Sequence, residues 1–112
     1  MDFNSVSIMG RISQDPKVFD AQDEKNRVEF AIANNKNNDH VNYFDCVVFG
    51  KTADIFNVLE IKKGDQVIVH GAIRTSAYEK DQTKKISISI DVHRIHLIQR
   101  KTVIKKQAVM AG

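Results

Sequence analysis

The chain has 112 residues, of which 42% are hydrophobic and 28% charged, the balance of one ordinary globular domain. It holds no run of about 20 apolar residues that could cross a membrane, no recognisable secretion signal and a single cysteine, so we expect a soluble intracellular protein without disulfides. The net charge of +3 is uneven: residues 1–65 carry 8 Lys or Arg and 11 Asp or Glu, and residues 66–112 carry 9 and 3. Such an asymmetry is a weak indication of a polyanionic partner.

The start of the chain predicts two strands from apolar residues that alternate with polar ones. Residues 6–12 form the first alternating run, and Gly10 within it indicates a bend or the close approach of another segment. A turn follows at Asp15-Pro16, because proline forces its predecessor away from helical angles. Residues 28–33 then resume the alternation and predict the second strand.

The middle of the chain predicts a third strand and the only helix. Residues 34–40 are polar and predict a flexible loop between two strands. Residues 41–49 are rich in β-branched and aromatic side chains and predict the third strand. Apolar residues recur at helical spacing within 52–61, and Gly64 is placed to end that helix.

The last third of the chain predicts two more strands. Residues 66–78 alternate and form the fourth strand, and the charged residues 79–85 predict a loop. Residues 86–92 alternate strictly and predict a half-buried fifth strand. The alternation of apolar and polar residues shifts by one position between Val92 and Ile95, which predicts a bulge.

This order of elements predicts an all-β protein with the OB-fold. Five strands with one helix between the third and the fourth form a five-stranded Greek-key barrel of this type. We assign residues 1–98 to the barrel and residues 99–112 to a short basic C-terminal segment with no clear period.

The third strand separates its side chains into an apolar face and a mixed face. Phe44, Cys46 and Val48 form the apolar face, which is the better candidate for the core. The mixed face therefore leaves Tyr43 and Phe49 outside the barrel, about 20 Å apart at 3.3 Å per residue. Phe30, Phe44 and Phe56 are predicted to pack in the core.

Five motifs, in this order, resemble those of one family, the bacterial and phage single-stranded DNA-binding proteins (SSBs). The resemblance covers roughly residues 4–98 of the chain. The motifs are IMGRI at 8–12 followed by Asp15-Pro16, YFDCVVFGK at 43–51, TAD at 52–54, KKGD at 62–65, and Arg74-Thr75 followed by Tyr78.

The resemblance implies which residues contact DNA. In the family, aromatic residues at the positions of Tyr43, Phe49 and Tyr78 stack on bases, and we carry those roles over. A protein that binds single strands without sequence preference needs such rings for unstacked bases and cations for phosphates. The candidate phosphate contacts are Arg11, Lys51 and Arg74, which match basic positions of the family, together with Lys36 in the asparagine-rich loop and Lys80, Lys84 and Lys85 in the 79–85 loop.

The resemblance also implies partners and a location. Single-stranded DNA is the expected partner, and a homotetramer, or less often a dimer, is the expected assembly in the bacterial cytoplasm. Bacterial members carry an acidic C-terminal tail that recruits other proteins, but this chain has no acidic residue after Asp91. Recruitment by that route is therefore not expected, and a phage-encoded origin is one hypothesis. No membrane, cofactor or metal is expected.

Two other classes of function are weighed against this one. An enzyme could use His93, His96 and Cys46 as metal ligands, but a separation of three residues in a strand places the two histidines on opposite faces. No phosphate loop or catalytic constellation is recognisable either, so we expect a non-enzyme. An SSB-like accessory protein of the primosome type would share the barrel and act mainly as a protein-interaction module.

Overall fold

The computed structural model describes residues 2–19, 26–37 and 39–101. In these residues it contains six strands and one helix. Their bounds are β1 (Val6–Ile12), β2 (Lys17–Phe19), β3 (Arg27–Asn37), β4 (His40–Phe49), α1 (Gly50–Val58), β5 (Gln66–Lys80) and β6 (Thr83–Gln99). The short strand β2 has no counterpart among the elements predicted from the sequence.

Five of the strands close into a ring in the order β1-β5-β6-β4-β3, because β3 pairs back onto β1. The β4–β6 pairing is parallel and the others are antiparallel. Strand β2 pairs only with β3, outside the ring. The predicted fold is therefore confirmed: a five-stranded barrel of the OB type, with its helix between the third and fourth strands of the ring.

At two places the ring is closed by only two residue pairs, and we call these places seams. At the first, β1 meets β3 through only two residue pairs, Arg11 with Ala33 and Ile12 with Ile32. Gly10 lies beside this seam, where a Cβ atom would approach Ile32 Cγ2 to 2.6 Å and would also clash with the Ala33 carbonyl, so the predicted close approach is confirmed. At the second seam, β4 meets β6 through two pairs, which join Cys46–Val47 to Ile90–Asp91.

The core forms from the inward side chains of the strands and is completed by the helix. The alternating residues Val28, Phe30 and Ile32 of β3 are all buried, as their spacing predicts. Helix α1 contributes Ala53 and Phe56, and the Phe56 and Phe30 ring centroids are 4.9 Å apart. Phe44 is half-buried and packs against the same cluster, so all three predicted core phenylalanines contribute to it.

The helix begins and ends earlier than predicted. It starts at Gly50 and ends at Val58 because Glu60 has a left-handed backbone (φ 53°) that stops propagation. Gly64 has φ 92° in the following turn and so belongs to the approach to β5 rather than to the end of the helix. In that turn the buried Asp65 carboxylate accepts hydrogen bonds from the Lys62 and Lys101 backbone amides.

The prediction of a loop at residues 79–85 is wrong. Strands β5 and β6 form one long hairpin that pairs Lys80 with Thr83, so only Asp81 and Gln82 remain in the turn. Both turn residues have positive φ, 54° and 63°, the backbone of a two-residue hairpin turn. Lys80, Lys84 and Lys85 therefore lie in paired strands, not in a loop.

The loop predicted for residues 34–40 is also too long. Strand β3 continues to Asn37 and β4 begins at His40, so most of the asparagine run is paired in the sheet. The register is irregular between Asn35 and Asn37, and Lys36 lies at that irregularity. Polar side chains do not prevent strand pairing here, because the ladder is formed by backbone groups.

The side chains of β6 alternate as predicted, but only the second half of the predicted run 86–92 buries its apolar side chains. Ile90 and Val92 are buried, whereas Ile86 and Ile88 are 70% and 64% exposed because the hairpin extends past the barrel. The predicted bulge is confirmed: Val92 pairs with Gly71 and Arg94 with His70, which leaves His93 between them.

The C-terminal end of the barrel is fixed by contacts with the turn before β5. Arg100 donates hydrogen bonds to the Leu59 and Glu60 carbonyls, and its Nη1 lies 3.9 Å from Asp65 Oδ2. The division into residues 1–98 and 99–112 stays a prediction, because 102–112 lie outside the described residues. No helix in the described residues is long and apolar enough to cross a membrane.

Candidate nucleic-acid interface

The outer face of β4 presents the mixed set of side chains that the alternation predicts. Tyr43 is 69% exposed and Phe49 is half-buried, whereas Cys46 and Val48 point into the core. Val47 is an exception, since it belongs to the outer set but is buried at the β4–β6 seam.

A groove crosses this face from β2 to the β5–β6 hairpin. Its described lining includes three basic and three acidic side chains, arranged around Phe49. The charged residues are Lys17, Arg27, Arg74, Asp15, Glu29 and Asp45. The groove is therefore electrostatically mixed rather than uniformly basic.

Phe49 and Arg74 meet in the groove, as two of the residues predicted to bind DNA. The Arg74 guanidinium carbon lies 5.9 Å from the Phe49 ring centroid, within the range of a cation–π contact. A second recess on the other side of the pair is lined by both residues and by Thr52 and His93. An aromatic face and a cation, the two groups a nucleotide requires, are thus side by side.

The register of the hairpin divides the predicted lysines between its two faces. Tyr78 pairs with Lys85 and Lys80 with Thr83, at positions of the same parity as Arg74, so these side chains share its face. Lys84 pairs with Glu79, on the opposite face. Tyr78 is 46% exposed.

Of the ten residues predicted to contact DNA, only Phe49 and Arg74 are among those that line the groove. Arg11 donates a hydrogen bond of 3.0 Å from Nη1 to the Gly64 carbonyl, below the turn before β5. Lys51 is exposed in the first turn of α1, two residues after Phe49. Lys36 is exposed near the end of β3, three strand positions beyond Ala33, the register partner of Tyr43.

Phe19 and Arg27 belong to this face and were not predicted from the sequence. They are register partners on β2 and β3, and the Arg27 guanidinium carbon lies 4.2 Å from the Phe19 ring centroid. The only available signal was the alternation of Lys17, Val18 and Phe19 after the turn. Three residues are too few to distinguish a strand from a loop by period alone.

The residues weighed as metal ligands do not form a site. Burial raises the pKa of the Cys46 thiol to about 12, and the neighbouring Asp45 carboxylate adds to that rise, so the thiol stays protonated. His96 contacts His70, with ring centroids 5.8 Å apart, while His93 lines the second recess. In the described part of the chain, no three His, Cys, Asp or Glu side chains are grouped to hold a metal ion.

A closed five-stranded barrel with rings and cations on one outer face defines an OB-fold protein with the features of an oligonucleotide-binding site. The model of the single-strand binding protein family matches residues 3–98. The chain belongs to this family.

Individual relatives agree with this assignment. The single-stranded DNA-binding protein of Borreliella burgdorferi is 34% identical over 101 residues, which cover 80% of this chain and 67% of the relative. The protein of the same name from Clostridium perfringens is 32% identical, with 85% and 65% covered. The chain thus spans about two thirds of the length of both relatives. Their names describe binding proteins, which supports the expectation of a non-enzyme.

A solved structure shares the fold. The Plasmodium falciparum SSB complex with ssDNA superposes with a TM-score of 0.73 at 18% identity, covering 90% of this chain and 97% of that one. At this identity the similarity establishes the OB-fold of the chain and nothing finer.

Proposed function

We propose that this chain binds single-stranded DNA without sequence preference, and that it coats and protects exposed strands during replication, recombination and repair. The observation that carries the proposal is the Phe49–Arg74 pair in the groove of an OB barrel from this family. An unstacked base lies against the Phe49 ring, and Arg74 binds the phosphate next to it. The mechanism is stoichiometric, with no chemical step.

Tyr43 and Tyr78 extend the stacking surface away from Phe49 along two strands. Both rings are exposed at strand positions outside the core, where a base can reach them. The phosphate contacts proposed with them are Arg74, Lys80, Lys85, Lys51, Lys36, Arg11 and Lys84. Of these, Lys84 contributes only by long-range attraction, because its register position is on the opposite face from Tyr78.

The assembly and location are part of the same proposal. We propose a homo-oligomer, a tetramer or a dimer, in the bacterial cytoplasm. The bacterial relatives named as single-stranded DNA-binding proteins support the location. The basic second half of the chain supports a polyanionic partner.

The proposal predicts that single strands bind far more tightly than duplex DNA. In a duplex the bases are stacked inside and cannot reach the rings. We would measure fluorescence anisotropy of a labelled oligo-dT of about 40 nucleotides, long enough for several barrels at about 4–16 nucleotides each. A matched duplex is the control, across a salt series. A plot of the logarithm of the binding constant against the logarithm of the salt concentration should have a slope of about −0.7 for each phosphate contact.

Equal binding of duplex and single strand would exclude the proposal. Weak binding that does not depend on oligonucleotide length would favour the alternative, an accessory protein that acts mainly through protein contacts.

The acidic residues of the groove predict that one substitution strengthens binding. Asp45 lies on the groove face of β4, four residues before Phe49, and repels phosphate. Asp45→Asn should tighten oligo-dT binding by about fivefold, since two unit charges 4 Å apart in water interact by about 1 kcal/mol. The titration is run at low salt against Glu60→Gln, which removes a carboxylate outside the groove lining and should leave affinity unchanged. Equal effects of both variants would show that only net charge matters.

A further inference from the structure

Phe19 and Arg27 lie in line with the Phe49–Arg74 pair. The register places Phe19 of β2 opposite Arg27 of β3, and Arg27 opposite Phe49 of β4. Register partners in antiparallel strands project to the same side of the sheet. The three side chains therefore form a row across three strands, and Arg74 continues it from β5. We name these four residues the aromatic–arginine row.

Rings and guanidinium groups alternate along this row. The two ring-to-guanidinium distances are 4.2 Å at Phe19 and 5.9 Å at Phe49. Phe19 and Phe49 lie two strands apart, about 10 Å at the usual strand spacing, so they are separate platforms. Phe19 is 37% exposed and is the register partner of Arg27, which lines the groove. A second ring–arginine pair thus repeats the arrangement of the first.

The Arg27 guanidinium can still bind an anion. Its Nε lies 3.4 Å from Glu29 Oε2, and both side chains are more than two-fifths exposed, which makes the ion pair weak. Nε itself is buried and makes no hydrogen bond within the described residues. A guanidinium has two further nitrogens that bind phosphate in a bidentate manner. Its planar face can also take a stacked base.

We propose that Phe19 and Arg27 form an additional nucleotide subsite of the groove, an inference that rests on the proposed function. A base stacks on the Phe19–Arg27 pair, and the Arg27 terminal nitrogens bind the phosphate that follows. Single-stranded DNA therefore continues past Phe49, across β3, towards β2. The contact with the Phe19 ring orients the guanidinium before DNA arrives.

Two substitutions separate the stacking and charge contributions. Phe19→Leu keeps an apolar side chain and removes the ring, and should weaken oligo-dT binding by about five- to tenfold without changing the salt slope. Arg27→Gln should weaken binding and also reduce the salt slope by about 0.7, the loss of one phosphate contact. Because both residues hold one nucleotide, the double variant should lose less than the product of the two single effects.

Matched controls distinguish a lost contact from a disturbed strand. Val18→Ala alters the neighbouring β2 position, which projects to the other face, and Phe3→Leu removes an exposed ring outside the groove lining. Both should bind as the wild type does. Phe19→Tyr keeps the ring and should restore affinity. A loss in Val18→Ala equal to that in Phe19→Leu would overturn the subsite, because the effect would then belong to the strand.

The experiment also separates this inference from the proposed function. Wild-type affinity in both Phe19→Leu and Arg27→Gln, with weakened binding in Phe49→Leu, would exclude the subsite and leave single-strand binding intact. A wild-type protein that fails to bind oligo-dT would exclude both.

Discussion

Phe56→Ala is expected to lower the free energy of unfolding by about 3–5 kcal/mol, the largest effect of any substitution considered. The Phe56 side chain is 2% exposed, and its ring is in contact with the Phe30 ring. Truncation removes this contact between α1 and the barrel and leaves a cavity that the rigid strands cannot close. Urea denaturation followed by circular dichroism would measure the change.

The matched control lies on the same helix. Val58 is 80% exposed, and Val58→Ala should change the free energy of unfolding by no more than about 0.5 kcal/mol. Both variants are compared at one protein concentration, because stability of an oligomer depends on it. A Phe56→Ala effect as small as that of Val58→Ala would mean that the helix does not complete the core.

Phe49→Leu is expected to weaken binding of single-stranded DNA by about 5- to 150-fold, equivalent to the 1–3 kcal/mol of one stacked base. The ring lines both the groove and the second recess and lies beside the Arg74 guanidinium, so its loss affects the base contact and leaves Arg74 less well positioned. Anisotropy with oligo-dT at fixed salt measures the loss. Tyr43→Leu and Tyr78→Leu, at more exposed positions, should each have a smaller effect.

Two comparisons test whether the ring itself is responsible. Phe49→Tyr retains an aromatic face and should bind close to the wild type, while thermal unfolding checks that the start of α1, for which Phe49 is the N-cap residue, is undisturbed. Phe3→Leu removes another phenylalanine ring without touching the groove. Affinity of Phe49→Leu within twofold of the wild type would show that stacking occurs elsewhere.

The strands of the barrel were predictable because burial on one side imposes a period of two. Val28, Phe30 and Ile32 must alternate to reach the core, and the same rule indicated that Tyr43 and Phe49 point outward. The alternation failed to predict strand ends. Lys80 and Asn35 are paired although polar, because a hairpin that extends past the core needs only backbone hydrogen bonds.

The candidate site was predictable only in part, for a related reason. Phe49 and Arg74 lie in sequence motifs that resemble those of the family. The contact between Phe19 and Arg27, in contrast, depends on which strands become adjacent. A three-residue strand carries too few side chains to indicate its register. The lining of the groove therefore depends on pairing between strands, and of its acidic residues only Asp45 could be placed on this face from the alternation of its own strand.

The two seams described above also bear on how the barrel opens and closes. The β5–β6 hairpin forms between neighbouring parts of the chain, but the β4–β6 seam joins Cys46 to Ile90 across 44 residues and through only two pairs. Pairings of long sequence separation and few contacts form late in folding and are the first to open in local fluctuations. The line from Phe49 on β4 to Arg74 on β5 crosses this seam. A DNA strand that engages both residues therefore spans one of the two places where the ring is closed by only two residue pairs.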